Sequence, residues 1–344
     1  MGFSFEHHAR PRAFVMRILI VQPRRIGDVI LTTPMIDALR QKFPEARIEF
    51  LAEGAAAPVL EGYPGLDETL LFDKNLLRWI PEIRRRRYDW VVDFMCNPRT
   101  AQLTALSGAP VRAGFDVPFW GRVYNRRVPR GGPDRYVVAY KHQLLEALGV
   151  PPARPLPRLT HLAGRDEGAR AWWDKEGVGR WGQRVALLPM HRHPVRQWPL
   201  EKWAELLPLL LARSDRAVLL FGSPEERPDL ERLAAPHPGR AHVIPVGPLA
   251  QAAALLARCR VAVSNDSGLM HLAVAMDVPT VTIYGPTSPV ACSPATPRHR
   301  ALRVDGLSCI NCERSRCPFN HECMAWLGAA RVARETEDLL ERTA

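Results

Sequence analysis

The chain has 344 residues, of which 47% are hydrophobic and 24% are charged. This balance is ordinary for a folded soluble protein and excludes a disordered or collagen-like chain, and the length favours two domains because it exceeds what one hydrophobic core usually supports. The formal net charge of +11 favours anionic partners: nucleic acid, an acidic membrane surface, or phosphorylated and carboxylated substrates. No apolar run approaches the ~20 residues that span a bilayer.

The first half of the chain alternates short apolar runs with helical patterns. Residues 1–15 are expected to lie outside the fold, and Met16 opens the first periodic segment. The apolar run at 17–22 predicts a strand buried on both faces of a parallel sheet, and Val29–Phe43 predicts a helix, with Pro34 tolerated near its start. Further strands are predicted at 48–52, 69–72, 90–94 and 111–114, and helices at 75–87 and 134–148. This alternation predicts an α/β domain.

A proline-rich segment separates the two halves. Val150–Thr160 contains four prolines and predicts a stiff, extended hinge. Beyond it, strands are predicted at 184–188, 217–221, 242–246, 261–264 and 280–284, and helices at 200–212, 223–234, 249–258, 267–276 and 325–342. We therefore expect two Rossmann-like domains, 16–160 and 161–344, whose strand ends face each other across a cleft. The sequence has neither a G-x-G-x-x-G turn after a strand nor a P-loop, which disfavours dinucleotide dehydrogenases and P-loop enzymes.

The most informative segment, Val263–Ala275, joins a predicted strand to a predicted helix. Asn265, Asp266 and Ser267 are favoured helix N-caps, and Gly268 lets a ligand approach the backbone closely. The free N–H groups and positive dipole end of such a helix bind phosphate, and His271 in the first turn adds a donor. The segment predicts a diphosphate site; the alternative is an ordinary capped helix with a surface histidine.

A second strand-to-helix turn, Arg24–Pro34, lies in the N-terminal half. Gly27 permits a tight turn and leaves Asp28 at the start of the first helix, pointing into the cleft. A carboxylate there can accept a proton from an acceptor hydroxyl as a general base, or it can serve only as a helix cap; the residues alone leave both interpretations open. Arg24 and Arg25 either hold an anionic acceptor or are simply solvated.

Two further turns follow strands of the second half. The loop after the first of these strands carries Arg196, which could neutralise a leaving diphosphate, and Trp198, which is expected to pack within its own domain. The next turn places Glu225 and Glu226 at a helix start, where acids are favoured electrostatically. That preference is a sufficient structural reason for the two acids, although a carboxylate there could also bind ribose hydroxyls.

Three of these motifs together resemble the heptosyltransferase family, glycosyltransferase family 9. They are G-D-V-I-L-T-T-P at 27–34, S-N-D-S-G-L-M-H-L-A at 264–273 and G-S-P-E-E-R at 222–227, and the similarity covers nearly the whole chain from Met16. The resemblance implies a GT-B fold and an inverting, metal-independent transfer of a sugar from a nucleotide-activated donor, typically ADP-heptose. The implied acceptor is a growing lipopolysaccharide core at the cytoplasmic face of the inner membrane.

The resemblance also assigns roles by position. Asp28 matches the proposed catalytic base. The implied donor site comprises Arg196, Glu226 (less certainly Glu225), Asp266, Ser267, Gly268 and His271. Arg196 stands where lysine is common in the family, a departure that keeps the charge and changes the geometry. In the implied mechanism, Asp28 deprotonates the acceptor hydroxyl while the helix start and Arg196 stabilise the departing nucleoside diphosphate, and the hinge lets the domains close.

Basic stretches at Arg84–Arg87 and Arg122–Arg130 lie in the half that takes the acceptor in this fold. Acceptor carboxylates, lipid phosphates and an anionic leaflet all fit such charge, so Arg122 joins Arg24 and Arg25 as a candidate acceptor contact. We expect a peripheral, salt-sensitive association with an anionic membrane surface. For Arg84–Arg87, a solvated charged face is the alternative.

Four cysteines, Cys309, Cys312, Cys317 and Cys323, lie within fifteen residues and close to His321. Four thiols could form a tetrahedral zinc site, but their spacing is not that of a standard zinc ribbon, so a packed or redox-sensitive loop is favoured. The run lies far along the chain from the cleft motifs, and neither a catalytic role nor any catalytic metal or cofactor is expected. The polar N-terminus lacks the apolar segment of a secretory signal, which favours reduced thiols.

Two other functions remain open from the sequence. Within enzymes, the chain could be a GT-B glycosyltransferase that uses another sugar nucleotide. From a different class, it could be a non-catalytic basic protein that binds sugar or nucleic acid. A recognisable nucleic-acid-binding motif and interleaved stacking aromatics are missing from the sequence, so no nucleic-acid partner is expected. The joint presence of Asp28 and the diphosphate motif argues against an inactive sugar-binding relative.

Overall fold

The computed structural model of the protein describes residues 15–131, 134–164 and 167–343. In these ranges the chain forms two sheets, each with six parallel strands. The predicted α/β class with parallel sheets is thereby confirmed. The extension predicted for residues 1–15 lies, apart from its last residue, outside the described residues.

The first sheet is built around a central strand whose apolar residues are buried. Its strands are β1 (Arg17–Val21), β2 (Arg47–Ala52), β3 (Glu68–Leu71), β4 (Trp90–Asp93), β5 (Val111–Asp116) and β6 (Arg126–Pro129), in the spatial order β3-β2-β1-β4-β5-β6. The helices are α1 (Ile26–Ile30), α2 (Thr33–Lys42), α3 (Leu76–Arg86), α4 (Pro98–Ala105) and α5 (Val137–Glu146). Strand β1 pairs with β2 and β4, and its apolar residues are fully buried, as a two-sided parallel strand requires.

The second sheet repeats this arrangement. Its strands are β7 (Gln183–Leu188), β8 (Arg216–Leu220), β9 (Ala241–Val243), β10 (Val261–Asn265), β11 (Thr280–Ile283) and β12 (His299–Leu302), in the spatial order β12-β11-β10-β7-β8-β9. The helices are α6 (Glu167–Lys175), α7 (Leu200–Leu210), α8 (Arg227–Ala234), α9 (Leu249–Leu256), α10 (Gly268–Ala275), α11 (Pro289–Cys292), α12 (Glu322–Ala325) and α13 (Ala329–Arg342). None of the helices described is long and apolar enough to cross a bilayer.

The helix predicted over Val29–Phe43 is wrong, because two helices, α1 and α2, occupy this region. Pro34 has no N–H group to donate to the carbonyl of Ile30, four residues earlier, so one helix cannot run through. The Thr33 hydroxyl donates to that carbonyl instead, at 2.8 Å. The break leaves α1 as a single short turn-like helix that carries Asp28 at the end of β1.

The sequence analysis missed the edge strands β6 and β12, and most of the final helix predicted over 325–342 is α13, which begins at Ala329 after the short α12. The residues of β6 are two arginines, a valine and a proline, most of them exposed, so no apolar run marks the strand. An edge strand pairs on one side only, and arginine and proline there are compatible with that position. Gly328 separates the two final helices.

The two domains contact each other through apolar residues and a main-chain hydrogen bond. A helical turn at Ala57–Leu60 in the first domain packs against α9 of the second, within one continuous buried cluster. At the end of the predicted hinge, the Leu159 N–H donates to the Ala275 carbonyl at the end of α10, at 2.7 Å. The domain boundaries themselves stay a prediction. These contacts bring the carboxyl ends of β1 and β10 together.

Candidate active site

The starts of α1 and α10 face each other across the seam between the domains. A Cβ atom placed on Gly27 would lie 2.8 Å from Cδ2 of His271 and 3.5 Å from Cα of Gly268. A Cβ atom on Gly268 would lie 3.6 Å from the Gly27 nitrogen. A side chain at position 27 would therefore collide with the His271 ring, so either that ring or the two helix starts would have to move.

The start of α10 combines a capped helix with unpaired backbone donors. Ser267 is the N-cap, and its Oγ accepts a hydrogen bond from the Met270 N–H at 3.3 Å. The Gly268 and Leu269 N–H groups have no carbonyl partner within the helix, whereas the His271 N–H donates to the Ser267 carbonyl at 3.3 Å, and the dipole adds partial positive charge at this end. Ser264, Asn265 and Asp266 precede the cap and are buried. This end of the second sheet can therefore bind an anionic group.

His271, in the first turn of α10, is buried in the domain seam. Burial lowers its pKa, while the negative charges of Asp266 and Asp28 act in the opposite direction. The imidazole is therefore neutral at neutral pH. Among the described residues, its Nδ1 has no hydrogen-bond partner. A neutral ring with one unsatisfied nitrogen fits a site that completes its hydrogen bonds with a ligand.

A buried asparagine, Asn265, fixes the loop that follows β7 to the end of β10. Its Oδ1 accepts from the Trp198 N–H at 2.9 Å, and its Nδ2 donates to the Pro189 carbonyl at 2.6 Å. Trp198 is fully buried and donates from Nε1 to the Leu327 carbonyl, which confirms the prediction that it packs within its own domain. The sequence analysis treated Asn265 only as a cap type, because nothing in one sequence reveals a contact to a loop some seventy residues away.

Arg196 reaches the start of α10 from this loop. Its Nη1 lies 3.8 Å from Oδ2 of Asp266, and its Nη2 lies 3.2 Å from Oε2 of Glu313. Glu313 belongs to the cysteine-rich segment, and His321 of that segment contacts the Val195 carbonyl at 2.6 Å. Although the cysteine run is distant along the chain, it folds back against the Arg196 loop beside the cleft.

Further arginines concentrate positive charge in the same place. Arg25, from the first domain, contacts Nε2 of His193 at 3.3 Å, across the seam. Partial burial and the positive charges of Arg192, Arg196 and Arg24 lower the pKa of Arg25, with Asp28 opposing them. Like charges gathered this closely favour an anion between them. Arg25, predicted as an acceptor contact, thus faces the loop that carries the predicted donor contact Arg196.

The turn after β8 carries the two glutamates predicted near the ribose. Oε2 of Glu226 accepts from the Ser223 N–H at 2.7 Å and closes a capping box, whereas Glu225 is exposed. One carboxylate oxygen of Glu226 therefore caps the helix start, which is the structural reason that the sequence analysis gave for an acid at this position. Because β10, β7 and β8 are neighbours in the sheet, the α10 start, the Arg196 loop and the Glu226 turn lie along one sheet edge.

Asp28 occupies the opposite wall. Its side chain is exposed, and Oδ2 accepts from the Arg25 N–H at 3.2 Å. One carboxylate oxygen thus caps the helix, and the other has no hydrogen bond among the described residues. The structure brings Asp28 to the seam at which α1 meets Gly268 and His271.

A buried lysine supports this wall, and the sequence analysis missed it. Nζ of Lys141, on α5, lies 3.2 Å from Oε1 of Gln22, 3.1 Å from the Asp28 carbonyl and 2.5 Å from Oγ1 of Thr32. Burial lowers the pKa of Lys141 to about 8, while the Asp28 charge acts to raise it. A single ammonium therefore ties α5 to the end of β1 and to α1. The only sequence feature that could have indicated this role is a single lysine in a largely apolar helix.

The remaining predicted residues are Arg24, Arg122 and the four cysteines. Arg24 is exposed beside Arg25. Arg122 lies in a helical turn after β5, Trp120–Val123, and is exposed. The four cysteines have free thiols and line one small pocket. Across the part of the chain that is described, no group of three or more His, Cys, Asp or Glu side chains is arranged to hold a metal ion.

Comparison with known proteins decides the family. The model of glycosyltransferase family 9 (heptosyltransferase) matches residues 76–322. The chain belongs to this family. Lipopolysaccharide heptosyltransferase 1 of Pseudomonas aeruginosa is 27% identical to it over 359 residues, covering 94% of this chain and 98% of the relative. Lipopolysaccharide heptosyltransferase 2 of Escherichia coli K12 is 25% identical over 312 residues, covering 84% of this chain and 88% of the relative.

Solved structures agree on the fold. The structure of E. coli ADP-heptose lps heptosyltransferase II superposes with a TM-score of 0.78 at 23% identity, covering 95% of this chain and 99% of that one. The two facing parallel sheets of this heptosyltransferase are thus a GT-B fold, and the predicted family, fold and glycosyltransferase class are confirmed. The family match also explains why two strand-to-helix turns from separate domains meet at one seam.

Proposed function

We propose that this heptosyltransferase transfers heptose from ADP-heptose to an inner-core sugar of lipopolysaccharide, with inversion at the anomeric carbon and without a catalytic metal. The observation that carries the proposal is the contact of Gly27 with Gly268 and His271. That contact brings a carboxylate and a helix start to the same gap. The full-length similarity to lipopolysaccharide heptosyltransferases supports the choice of donor and acceptor.

The second domain provides the donor site in this proposal. The diphosphate of the donor lies at the start of α10, where Ser267 and Gly268 offer backbone N–H groups. Arg196 and Arg25 flank it with positive charge, and His271 adds a neutral donor. Glu226 contacts the ribose with the carboxylate oxygen that the capping box leaves free.

The first domain provides the base and the acceptor contacts. Asp28 removes the proton from the acceptor hydroxyl as its oxygen forms a bond to the anomeric carbon, and the bond from that carbon to the diphosphate oxygen breaks. The departing ADP carries the bonding electron pair, and the positive groups around the α10 start stabilise its charge. Attack from the Asp28 wall, opposite the diphosphate, inverts the anomeric centre. Arg24 and Arg122 serve the acceptor.

The location follows from the acceptor. Because the acceptor is assembled on lipid, we infer that the protein acts in the cytoplasm at the inner face of the inner membrane, through a peripheral contact with an anionic surface. The net charge of +11 supports such a contact. Nucleic acid is not a partner in this proposal.

The deciding experiment measures ADP release from ADP-heptose with a deacylated heptose-free lipopolysaccharide acceptor. We expect release that depends on the acceptor and persists in excess chelator. Release only from UDP- or GDP-sugars would replace the donor, and binding without release would make the protein a sugar-nucleotide binder. Elemental analysis of the active protein tests the absence of a metal, since a stoichiometric metal whose removal abolishes transfer would contradict that part of the proposal.

A further inference from the structure

Buried hydroxyl groups without a hydrogen-bond partner are concentrated in one part of the molecule. Six such hydroxyls occur among the described residues, and five of them belong to Tyr136 or to the segment 284–296. The sixth, that of Thr104, lies on α4. A buried hydroxyl that pairs with nothing costs free energy, so several of them in one place indicate that a polar ligand completes their hydrogen bonds.

Three of these hydroxyls, on Tyr136, Tyr284 and Ser293, lie close together, and we call them the seam hydroxyls. Burial and the negative charge of Asp266 raise the pKa of Tyr284 well above its ordinary value, and Tyr136 adds to this effect. The Ser293 hydroxyl lies beside Tyr284 and acts in the opposite direction, although the two do not have the geometry of a hydrogen bond. The group therefore adjoins Asp266, which precedes the start of α10.

The seam hydroxyls come from both domains. Tyr136 immediately precedes α5 in the first domain, whereas Tyr284 follows β11 and Ser293 ends α11 in the second. Tyr284 is fully buried and Ser293 is 6% exposed. Because the residues that cover these hydroxyls lie on two domains, separation of the domains uncovers the hydroxyls and closure brings them together.

The surroundings of Tyr140 connect the seam hydroxyls to the proposed base. Tyr140 lies one helical turn after Tyr136, and burial raises its pKa to about 12. The charges of both Asp28 and Cys292 act on the Tyr140 hydroxyl. Burial and the neighbouring carboxylate of Asp266 raise the pKa of the Cys292 thiol in turn. The seam hydroxyls therefore lie beside the gap that Asp28 and the start of α10 share.

The order of the strands indicates which part of the donor reaches the seam hydroxyls. The strands β8, β7, β10 and β11 are successive neighbours in the second sheet. In the proposed donor site, the ribose lies at Glu226, after β8, and the diphosphate lies at the start of α10, after β10. The transferred sugar follows the diphosphate in a linear donor, and neighbouring strands are about 4.8 Å apart. The sugar therefore extends to the end of β11, where Tyr284 leaves the sheet.

We propose that the seam hydroxyls form the subsite for the transferred sugar and exchange hydrogen bonds with its hydroxyl groups. Hydroxyl side chains both donate and accept hydrogen bonds, as sugar hydroxyls do, which suits them to such a partner. Closure of the two domains on the donor then completes the hydrogen bonds that are missing without it. The inference rests on the proposed function for the orientation of the donor.

The test is calorimetric titration of the full-length protein with ADP-heptose and with ADP, because the ratio of the two affinities isolates the contribution of the sugar. Tyr284→Phe removes one seam hydroxyl and keeps the ring. Loss of one hydrogen bond should weaken ADP-heptose binding by about two- to tenfold and leave ADP binding unchanged. Ser293→Ala and Tyr136→Phe should act in the same direction. Since the Tyr284 hydroxyl has no partner in the protein, Tyr284→Phe should not lower the melting temperature.

Matched control variants remove buried hydroxyls that already have a partner. The Tyr88 hydroxyl donates to Glu49, and the Ser107 hydroxyl donates to the Thr104 carbonyl at 2.7 Å. Both residues precede strands of the first sheet and so lie at the edge opposite the cleft. Tyr88→Phe and Ser107→Ala should therefore lower the melting temperature and leave the affinities for ADP-heptose and ADP unchanged.

Two results would overturn the proposal. One is a wild-type ratio of affinities in all three seam variants, or an equal loss of ADP and ADP-heptose binding. The other is a fall in melting temperature for Tyr284→Phe as large as that for Tyr88→Phe, because the hydroxyl would then have a partner inside the protein. If the wild-type protein used a different sugar nucleotide, the proposed donor would be wrong, and the same ratio measured with that donor and its nucleoside diphosphate would still test the subsite.

Discussion

The two walls of the cleft are built differently. On the donor side, the start of α10 and the Arg196 loop are joined by the buried amide of Asn265, and the aromatic anchor Trp198 is fully buried. On the acceptor side, Asp28, Arg24 and Arg25 are exposed, and one buried ammonium supports them from beneath. The donor wall is thus held together by buried hydrogen bonds, whereas the reacting side chains of the acceptor wall are accessible to water.

This difference suits the two tasks. A diphosphate is the same in every turnover, so fixed backbone donors stabilise its charge without reorganising. The acceptor is a large sugar surface that must enter and leave, which an open wall allows. Variants on the two walls should therefore separate turnover from donor binding.

Replacing Asp28 is expected to have the largest effect. Asp28→Ala or Asp28→Asn should lower kcat by about 10²–10⁴-fold, because general-base catalysis is lost, and should leave ADP affinity nearly unchanged. Steady-state rates and calorimetric titration with ADP measure the two quantities. Asp174→Asn, an exposed aspartate on α6, is the control and should retain full activity. Near wild-type turnover in the Asp28 variants would remove this residue from the mechanism.

Replacing Lys141 is expected to have the second-largest effect on kcat. Because Lys141 has a lowered pKa, it also predicts a pH dependence of kcat. Lys141→Met removes three contacts beneath α1, so we expect kcat to fall by about tenfold or more, with little change in ADP affinity, because misplaced reacting groups lower the rate strongly. The groups that act on this ammonium are Asp28, Cys96 and His271. With its pKa lowered to about 8 by burial, wild-type kcat should decline above about pH 8 as the charge is lost.

The same lowered pKa fixes the sign of a stability effect. The folded-state pKa of Lys141 lies below the ordinary value of 10.5, so between these pH values the unfolded chain binds more protons than the folded chain. The free energy of unfolding contributed by Lys141 must therefore rise with pH in this window. Chemical denaturation of wild type and Lys141→Met at several pH values checks it. An alkaline limb of kcat that persists unchanged in Lys141→Met would assign the limb to another group.

The hydrogen bonds of Asn265 hold the donor wall together, and replacing this residue tests their contribution. Asn265→Ala leaves the buried Trp198 N–H and Pro189 carbonyl unpaired, which should lower stability by about 2–4 kcal/mol and weaken ADP binding as the Arg196 loop loosens. Asn125→Ala is a close control, because Asn125 makes the same pair of contacts, to the Arg112 N–H and the Pro110 carbonyl, on the exposed surface. Equal losses in both variants would show that burial is not what matters. Thermal unfolding measures the loss of stability, and ADP titration measures the loss of ADP affinity.

The sequence predicted the elements that carry strong patterns. Apolar runs such as that of β1 marked the buried strands, and capping residues with a following apolar face marked α10. The break between α1 and α2 was missed, although Pro34 offered a local signal, because the helical pattern continues across it. The edge strand β6 was missed because it needs no apolar run.

The sequence predicted only those site residues that lie inside recognisable motifs. Asp28 and Ser267 were singled out because each follows a strand and begins a helix. Lys141 and Asn265 act through contacts to distant parts of the chain, and one sequence gives no pairing information. Glu313 lies between two cysteines, and nothing local indicates that it meets Arg196.

That last contact gives the smallest expected effect. Glu313 is largely exposed and places a negative charge beside Arg196 at the donor wall. Glu313→Gln removes this charge, so ADP should bind about 1.4- to fivefold more tightly, as expected for an exposed ion pair of roughly 0.2–1 kcal/mol, with the gain shrinking at high salt. The control is Glu335→Gln, which removes the 2.7 Å contact between Glu335 on α13 and Arg300 on β12. This variant should leave ADP affinity unchanged. If Glu313→Gln instead weakens ADP binding, the carboxylate holds Arg196 in place more than it neutralises it, and the cysteine-rich segment would then be a structural part of the donor wall.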